Sequence, residues 1–222
     1  MLVLSESQMQ RVRKTLAQAV ATRCQGQPER LTPWLSDSRW YVVRNTVHIL
    51  GWIGGPDIVR LLPPVVRHPE PRVRAEVVDA LAEVDLTLAR PLLLRALEGA
   101  DTVNLCRILK RLSGARDVAT ARIVFAYLEQ DGFHERPVVE RRAIYAAIAS
   151  CGGDEQVPAL ESALLQVNWF DRGFEVHRQA VAQCLGCIGT PRAQEVLRRA
   201  AASSRADIRR AAQAGLTQLP TP

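Results

Sequence analysis

Six times along this chain the same apolar trio returns: Thr46, Leu50, Ile53; Val77, Leu81, Val84; Leu105, Leu109, Leu112; Ile144, Ile148, Cys151; Val181, Leu185, Ile188; and Ala212, Leu216, Leu219. Each trio keeps the spacing i, i+4, i+7, which places three side chains on one stripe of an α-helix, so each segment reads as a helix with one buried face. Directly after most of them the chain meets a breaker or cap: Gly54 and Gly55, Asp85, Ser113 and Gly114, Gly152 and Gly153, Gly189, Pro220. Between the trios lie second apolar stretches, roughly 58–67, 88–97, 117–129, 156–166 and 192–201, with a short one at 31–35. The unit is therefore a helical hairpin, a first helix A and a second helix B, and its period of roughly 30 to 40 residues is that of stacked helical repeats. The spacing predicts an all-α fold, a right-handed α-solenoid of about six hairpins forming one array over residues 1–222, with the repeats at 30–220. A longer helix near 5–24 is expected to cap the first hairpin, with Val12, Leu16, Ala19 and Val20 facing inward.

Composition narrows the function classes. The chain is 47% hydrophobic and 23% charged, enough to bury a core, and no apolar run reaches the ~18 residues that a membrane span needs. The start MLVLSESQMQ lacks a basic segment followed by a long apolar one, which points to a cytoplasmic protein. The net charge of +6 permits a polyanionic partner only where the charge gathers on one face. Nearly all the basic residues are Arg, Lys14 and Lys110 being the only lysines. Five cysteines suit reduced thiols, and Cys184-x-x-Cys187, without a second pair, reads as a helix whose small residues allow close packing.

The segments LTPWLSD, LPPVVRH, ARPLLLRAL and QVPALESAL place Pro33, Pro64, Pro91 and Pro158 in the A helices, and the B helices close with ILGWIGGPD and CLGCIGTPRA. In these features the chain resembles the HEAT repeats, of the short bacterial type, over about residues 30–220. The resemblance implies HEAT-like hairpins whose B helices line a concave surface. It also implies a ladder between a basic residue at the start of B and an acid in the A-to-B turn. Arg74, Arg141, Arg178 and Arg209 occupy the basic position, Arg44 stands one place off and Thr102 replaces it in the third repeat; Asp37, Glu135 and Asp171 are the best acidic matches.

Residues opposite the buried stripe face solvent. They are Arg44, His48 and Trp52; Ala75, Asp79 and Glu83; Val103, Arg107 and Arg111; Arg142, Ala146 and Ser150; Gln179, Gln183 and Cys187; Arg210, Ala214 and Gln218. The signs are mixed, with Asp79 and Glu83 between the Arg44 and Arg107 layers, whereas a groove for a polyanion should carry one sign. Trp52 beside Arg and His has the composition of a protein-interaction hot spot. Trp40 and Tyr41, at the entry of the first B helix, are expected between hairpins. Two long connections, 129–140 and 166–177, carry Phe133, His134, Trp169, Phe170, Arg172 and Phe174, and such loops either bind a partner or cover their own scaffold.

No phosphate loop, nucleophile elbow or dinucleotide fingerprint occurs, and His48, His68, His134 and His177 are scattered over four repeats. The helical-repeat hydroxylases hold iron with repeated His-Glu pairs, of which this chain has only His134-Glu135. Alkylpurine DNA glycosylases are similar in length, basicity and repeat architecture; Trp169, Asp171 and Arg172 are the nearest counterpart of their Trp, Asp and Arg, in a segment that reads as a loop. Bilin lyase-like HEAT proteins share the repeat without a transferable residue set. The expected function is a non-enzymatic scaffold for a protein partner, with nucleic-acid binding as the alternative and no cofactor, metal or membrane. The candidate groove residues are Arg44, His48, Trp52, Arg107, Arg111 and Arg142, and the candidate edge residues Phe133, Trp169, Phe170 and Arg172.

Overall fold

The computed structural model describes residues 6–114, 117–166 and 174–219; the side chains of 6–10, 13 and 174 are not described. Among the described residues the chain is helical, with no strand. The helices are α1 (Glu6–Cys24), α2 (Trp40–Ile53), α3 (Asp57–Leu61), α4 (Pro71–Ala82), α5 (Leu86–Leu97), α6 (Thr102–Leu112), α7 (Val118–Ala126), α8 (Val138–Cys151), α9 (Val157–Leu165), α10 (Phe174–Ile188), α11 (Pro191–Ala201) and α12 (Ala206–Leu216). Two 3-10 segments, Pro28–Ser36 and Phe133–Glu135, accompany them. The B helices of the six predicted hairpins are α2, α4, α6, α8, α10 and α12, and every member of the six trios is buried or half-buried.

Local chemistry sets the ends. Asp85 caps α5 by accepting from the Thr87 amide, Asp117 caps α7 by accepting from Ala119 and Thr120, and Thr190 caps α11 by accepting from Ala193. Pro71 and Pro191 open α4 and α11, where a missing N–H costs nothing. Elsewhere proline shortens what periodicity predicts. Pro33 sits inside the first A element, which is 3-10 rather than α. The second A helix, expected over 58–67, stops at Leu61 because Pro63 and Pro64 remove two successive donors, although Leu62, Val65 and Val66 stay buried in the turns that follow.

The chain divides into two compact units, Met1–Ile108 and Leu109–Pro222. In the first, α1 and the 28–36 segment pack on α2, α2 on α4, and α3 and α4 on α5. Its core includes Leu31, Val47, Leu50, Ile58, Leu81 and Leu93, all fully buried; each is worth about 1.5–3 kcal/mol against exposure. In the second, α8 packs on α7 and α10, and α10 on α9, α11 and α12.

Within each unit the B helices meet along small residues. A Cβ on Gly186 of α10 would collide with the Gly215 carbonyl of α12, and one on Gly215 with the Ala182 carbonyl of α10. The corresponding Gly51 of α2 faces Ala80 of α4, where a Cβ would lie 3.1 Å from the Ala80 Cβ. The repeated LG-x-IG ending is thereby explained: glycine after the second trio member lets the next B helix approach to backbone contact.

The capping helix corrects one expectation. Val12, Leu16, Ala19 and Val20 are exposed, Leu16 at 61%, while Ala21 and Cys24 are buried. Helix α1 thus meets its neighbours on the small-residue face, where its backbone approaches closely, and leaves the bulkier stripe in solvent.

Candidate functional site

In the first unit, α2 carries Arg44, His48 and Trp52 on successive turns of one stripe, with Trp52 exposed and Arg44 and His48 half-buried. Arg44 Nε donates to Glu76 Oε2 of α4 at 3.0 Å, and His48 Nδ1 lies 2.6 Å from Glu76 Oε1. The Trp52 ring, 39% exposed, leans on His48 with centroids 4.4 Å apart. One carboxylate therefore fixes two side chains of the stripe, and the second of these supports the aromatic ring. Farther along, Arg107 Nη1 donates to both oxygens of Asp79, at 3.1 and 2.9 Å. Of the two acids between the Arg44 and Arg107 layers, Asp79 pairs with Arg107, whereas the partner of Arg44 is Glu76. It was missed because it lies beside the exposed stripe, and its signal is its distance of 32 residues from Arg44, about one repeat. Such exposed pairs add little stability, roughly 0–1 kcal/mol each. Their consequence is a face whose cations are already engaged.

The second unit presents a different face. Arg142, Ala146 and Ser150 on α8, Gln179, Gln183 and Cys187 on α10, and Arg210, Ala214 and Gln218 on or just after α12 hold equivalent register positions, and all are exposed except half-buried Ala214. Arg210 pairs with Glu175 at 3.1 Å. The carboxamides of Gln179, Gln183 and Gln218 and the Arg142 guanidinium have no hydrogen-bond or ion-pair partner among the described residues. Arg111, on the last turn of α6, is half-buried.

The ladder exists in part, with partners other than those expected. Arg74 donates to the carbonyls of His68 and Pro69 in its own turn and to Asp101 Oδ2 at 2.7 Å, before the next B helix. In the third repeat, where Thr102 fills the basic position, the buried Asn104 donates to Asp101 Oδ2 and to the Pro71 carbonyl. Arg178, only 3% exposed, donates to the carbonyls of Leu164 and Gln166 and to Asp207 Oδ2 at 2.6 Å. Hydrogen bonds from Arg205 and the Arg178 charge hold the Asp207 carboxyl at about 2, below its ordinary value, and burial pulls Arg178 down from its own. Arg209 binds the carbonyls of Ser203 and Ser204. Asp37 instead pairs with Arg39 two residues on, at the entry to α2, and Glu135 is exposed. Asp171 lies outside the described residues.

The two aromatic loops fare differently. Phe133 is buried, its ring edge-on to Tyr145 and His177 with centroids 5.5 and 6.1 Å away, so it belongs to the core of its unit and not to an exposed edge. The Tyr145 hydroxyl is hydrogen-bonded to Nδ1 of the buried His177. Trp169, Phe170 and Arg172 lie outside the described residues, as does the side chain of Phe174. In the first unit Trp40 is half-buried under the Arg72 guanidinium, 5.1 Å from its ring centroid, whereas Tyr41 is exposed instead of buried between hairpins.

Burial pushes the Cys184 thiol well above the usual thiol range, and Cys184 donates to the Tyr145 carbonyl at 3.3 Å. Cys151 is pushed up to about 11 by the same cause and donates to the Ala147 carbonyl at 2.7 Å. Both stay protonated and act as small packing residues; only Cys187 of the C-x-x-C pair is exposed. Among the described residues no group of three or more His, Cys, Asp or Glu side chains gathers to hold a metal ion, and no helix is long and apolar enough to cross a membrane.

Among solved structures the chain is similar to an engineered protein at 16% identity, covering 86% of this chain and 95% of the other with a TM-score of 0.46. It is similar to a designed armadillo repeat protein at 14% identity, covering 86% and 99% with a TM-score of 0.43. Human deoxyhypusine hydroxylase, in complex with glycerol, shares 17% identity over 86% of this chain and 83% of its own, with a TM-score of 0.39. No curated protein matches the chain. The family model described as HEAT repeats matches residues 28–113 and 128–217, and with that coverage the chain belongs to the HEAT-repeat family.

Proposed function

We propose that this HEAT-repeat chain is a non-enzymatic scaffold that binds a protein partner through the exposed faces of its B helices. The observation that carries the reading is the first unit's face: an exposed Trp52 supported by His48, with Arg44 and His48 held by Glu76 and Arg107 by Asp79. A rigid aromatic side chain set in charges that already neutralise one another suits a protein surface, because little ordering entropy opposes association and no excess cation calls for phosphate. Arg111 and Arg142 extend the candidate surface in the second unit, and Trp169, Phe170 and Arg172 remain proposed edge residues. Phe133 is withdrawn because its ring is spent on the core.

The alternative is nucleic-acid binding, favoured by the net charge of +6 and by Arg142, which has no partner among the described residues. Affinity capture from lysate with and without nuclease treatment, using the wild type and Trp52→Ala, separates the two. A partner protein retained by the wild type and lost with Trp52→Ala supports the scaffold; capture indifferent to Trp52→Ala and abolished by nuclease contradicts it.

A further inference from the structure

We propose that the exposed apolar stripe of α1 is a second docking surface, taken by an acidic amphipathic helix of a partner protein. It is separate from the Trp52 face, because Trp52 lies on the other flank of α1, beside Gln18 and Thr22.

The first observation is the stripe. Val12, Leu16 and Val20 are 47%, 61% and 37% exposed, and Ala19 stands with them in solvent. The spacing i, i+4, i+7 and i+8 puts the four side chains on one side of the helix, over about 12 Å. This is the period of the buried trios, but here it is left in water. The second observation is the stacking. Helix α2 lies between α1 and α4, whereas α1 packs on α2 and the 28–36 segment and buries Ala21 and Cys24 there. What stacks on a helix in this fold is another helix, so a helix is the shape that fits the open side.

Charge selects the partner. Arg11 precedes the stripe and Arg23 continues it, seven residues beyond Leu16. Both are exposed, and with Lys14 they have no ion-pair partner among the described residues. The neighbouring α2 contains no acid, the 28–36 segment contains only Glu29, and α1 itself only Glu6. On the α2 face the opposite holds, since Glu76 and Asp79 already engage Arg44 and Arg107. The counter-charge for α1 therefore comes with the partner, as acids flanking its own apolar stripe. A second copy of this chain does not supply it: antiparallel pairing of two α1 stripes sets Arg11 against Arg23, and parallel pairing sets each against itself. A lipid surface fits less well, because Arg23 stands on the apolar stripe rather than opposite it and α1 carries no aromatic side chain. Nucleic acid has no use for the stripe.

The test uses the full chain and a phage-displayed library of helices about five turns long. A leucine stripe is fixed, and the flanking positions are drawn equally from Glu, Lys, Gln and Ala. Selection should enrich helices of net negative charge. The best of them, labelled with fluorescein and read by anisotropy, should lose at least about tenfold in affinity with Leu16→Asp and about three- to tenfold with Arg23→Glu. Lys14→Glu, on the opposite side of α1, should change it less than about twofold, and Trp52→Ala should leave it unchanged. Leu16 is exposed, so the urea midpoint of Leu16→Asp should match the wild type. Enrichment of neutral or basic helices, an empty selection, or affinity indifferent to Leu16→Asp overturns the proposal. Sedimentation with phosphatidylserine vesicles that Leu16→Asp abolishes overturns it in favour of lipid, and a dimer that Leu16→Asp converts to monomer overturns it in favour of a second copy. Trp52-dependent capture of a protein that survives any of these results leaves the scaffold reading standing. Nuclease-sensitive capture indifferent to Trp52→Ala, beside a selected acidic helix, overturns that reading alone.

Discussion

The two units carry B-helix faces built on the same repeat and finished in opposite ways. In the first, Arg44 and the His48 ring share Glu76 on the neighbouring B helix, Arg107 pairs with Asp79 on the neighbouring B helix, and Trp52 rises among them. In the second, carboxamides and small side chains fill most positions beside Arg142 and the Arg210–Glu175 pair, and the carboxamides have no partner among the described residues. The seam beneath differs in step. A Cβ on Gly51 would crowd Ala80 at 3.1 Å from its Cβ and 3.2 Å from its Cα, whereas one on Gly186 or Gly215 would overlap the opposing carbonyl. The lesson is that a solenoid repeat fixes where an exposed residue stands, while the chemistry at each register position decides what it can hold.

The largest expected effect breaks the tighter seam. Gly186→Ala inserts a methyl where the Gly215 carbonyl stands and should cost about 2–3 kcal/mol despite the gain in helix propensity. Gly51→Ala, with 3.1 Å to the Ala80 Cβ, should come within about 1 kcal/mol of neutral because propensity offsets the crowding. Urea denaturation of the two variants checks the difference, and equal losses would remove the distinction between the seams.

Next is the ion pair beneath the second face. Asp207→Asn removes the carboxylate charge beside the buried Arg178 and should cost about 2 kcal/mol. The folded Asp207 carboxyl titrates at about 2 against an ordinary 3.8. Its contribution is therefore complete above about pH 4 and lost as pH falls toward 2. Acid unfolding followed by circular dichroism should show the wild type losing stability in that window and Asp207→Asn losing less of it.

A smaller effect is expected from Glu76→Gln, which releases Arg44 and weakens the support of His48. Stability should change by less than about 1 kcal/mol, since the pair is partly exposed. Affinity for duplex DNA at low salt should nevertheless rise about threefold or more, because an engaged cation becomes free. No change in DNA affinity would show that the pairing does not govern the first unit's response to phosphate.

Much of this was legible in the chain. The i, i+4, i+7 trios located all six B helices because burial of one helical stripe is written in the period itself, and most residues opposite them are exposed, while Arg44, His48, Ala75, Arg111 and Ala214 are half-buried. Periodicity failed where two apolar faces adjoin on one helix: the Val12–Leu16–Val20 stripe of α1 is bulkier, but close packing selected Ala21 and Cys24. It missed Glu76 because a long side chain reaches sideways out of its stripe. It left Phe133 between binding and self-packing because a loop has no period, and only its contacts with Tyr145 and His177 decide the matter. The pairs Arg74–Asp101 and Arg178–Asp207 were half visible: the basic positions stood out, but their acids lie one repeat on.

The most direct test of a charge-neutralised protein-binding face is a fluorescence titration of the purified chain against labelled duplex and single-stranded DNA at low and physiological salt. The expected result is weak binding at low salt that disappears at physiological salt. Submicromolar binding that survives physiological salt would contradict the protein-scaffold reading and make nucleic acid the partner.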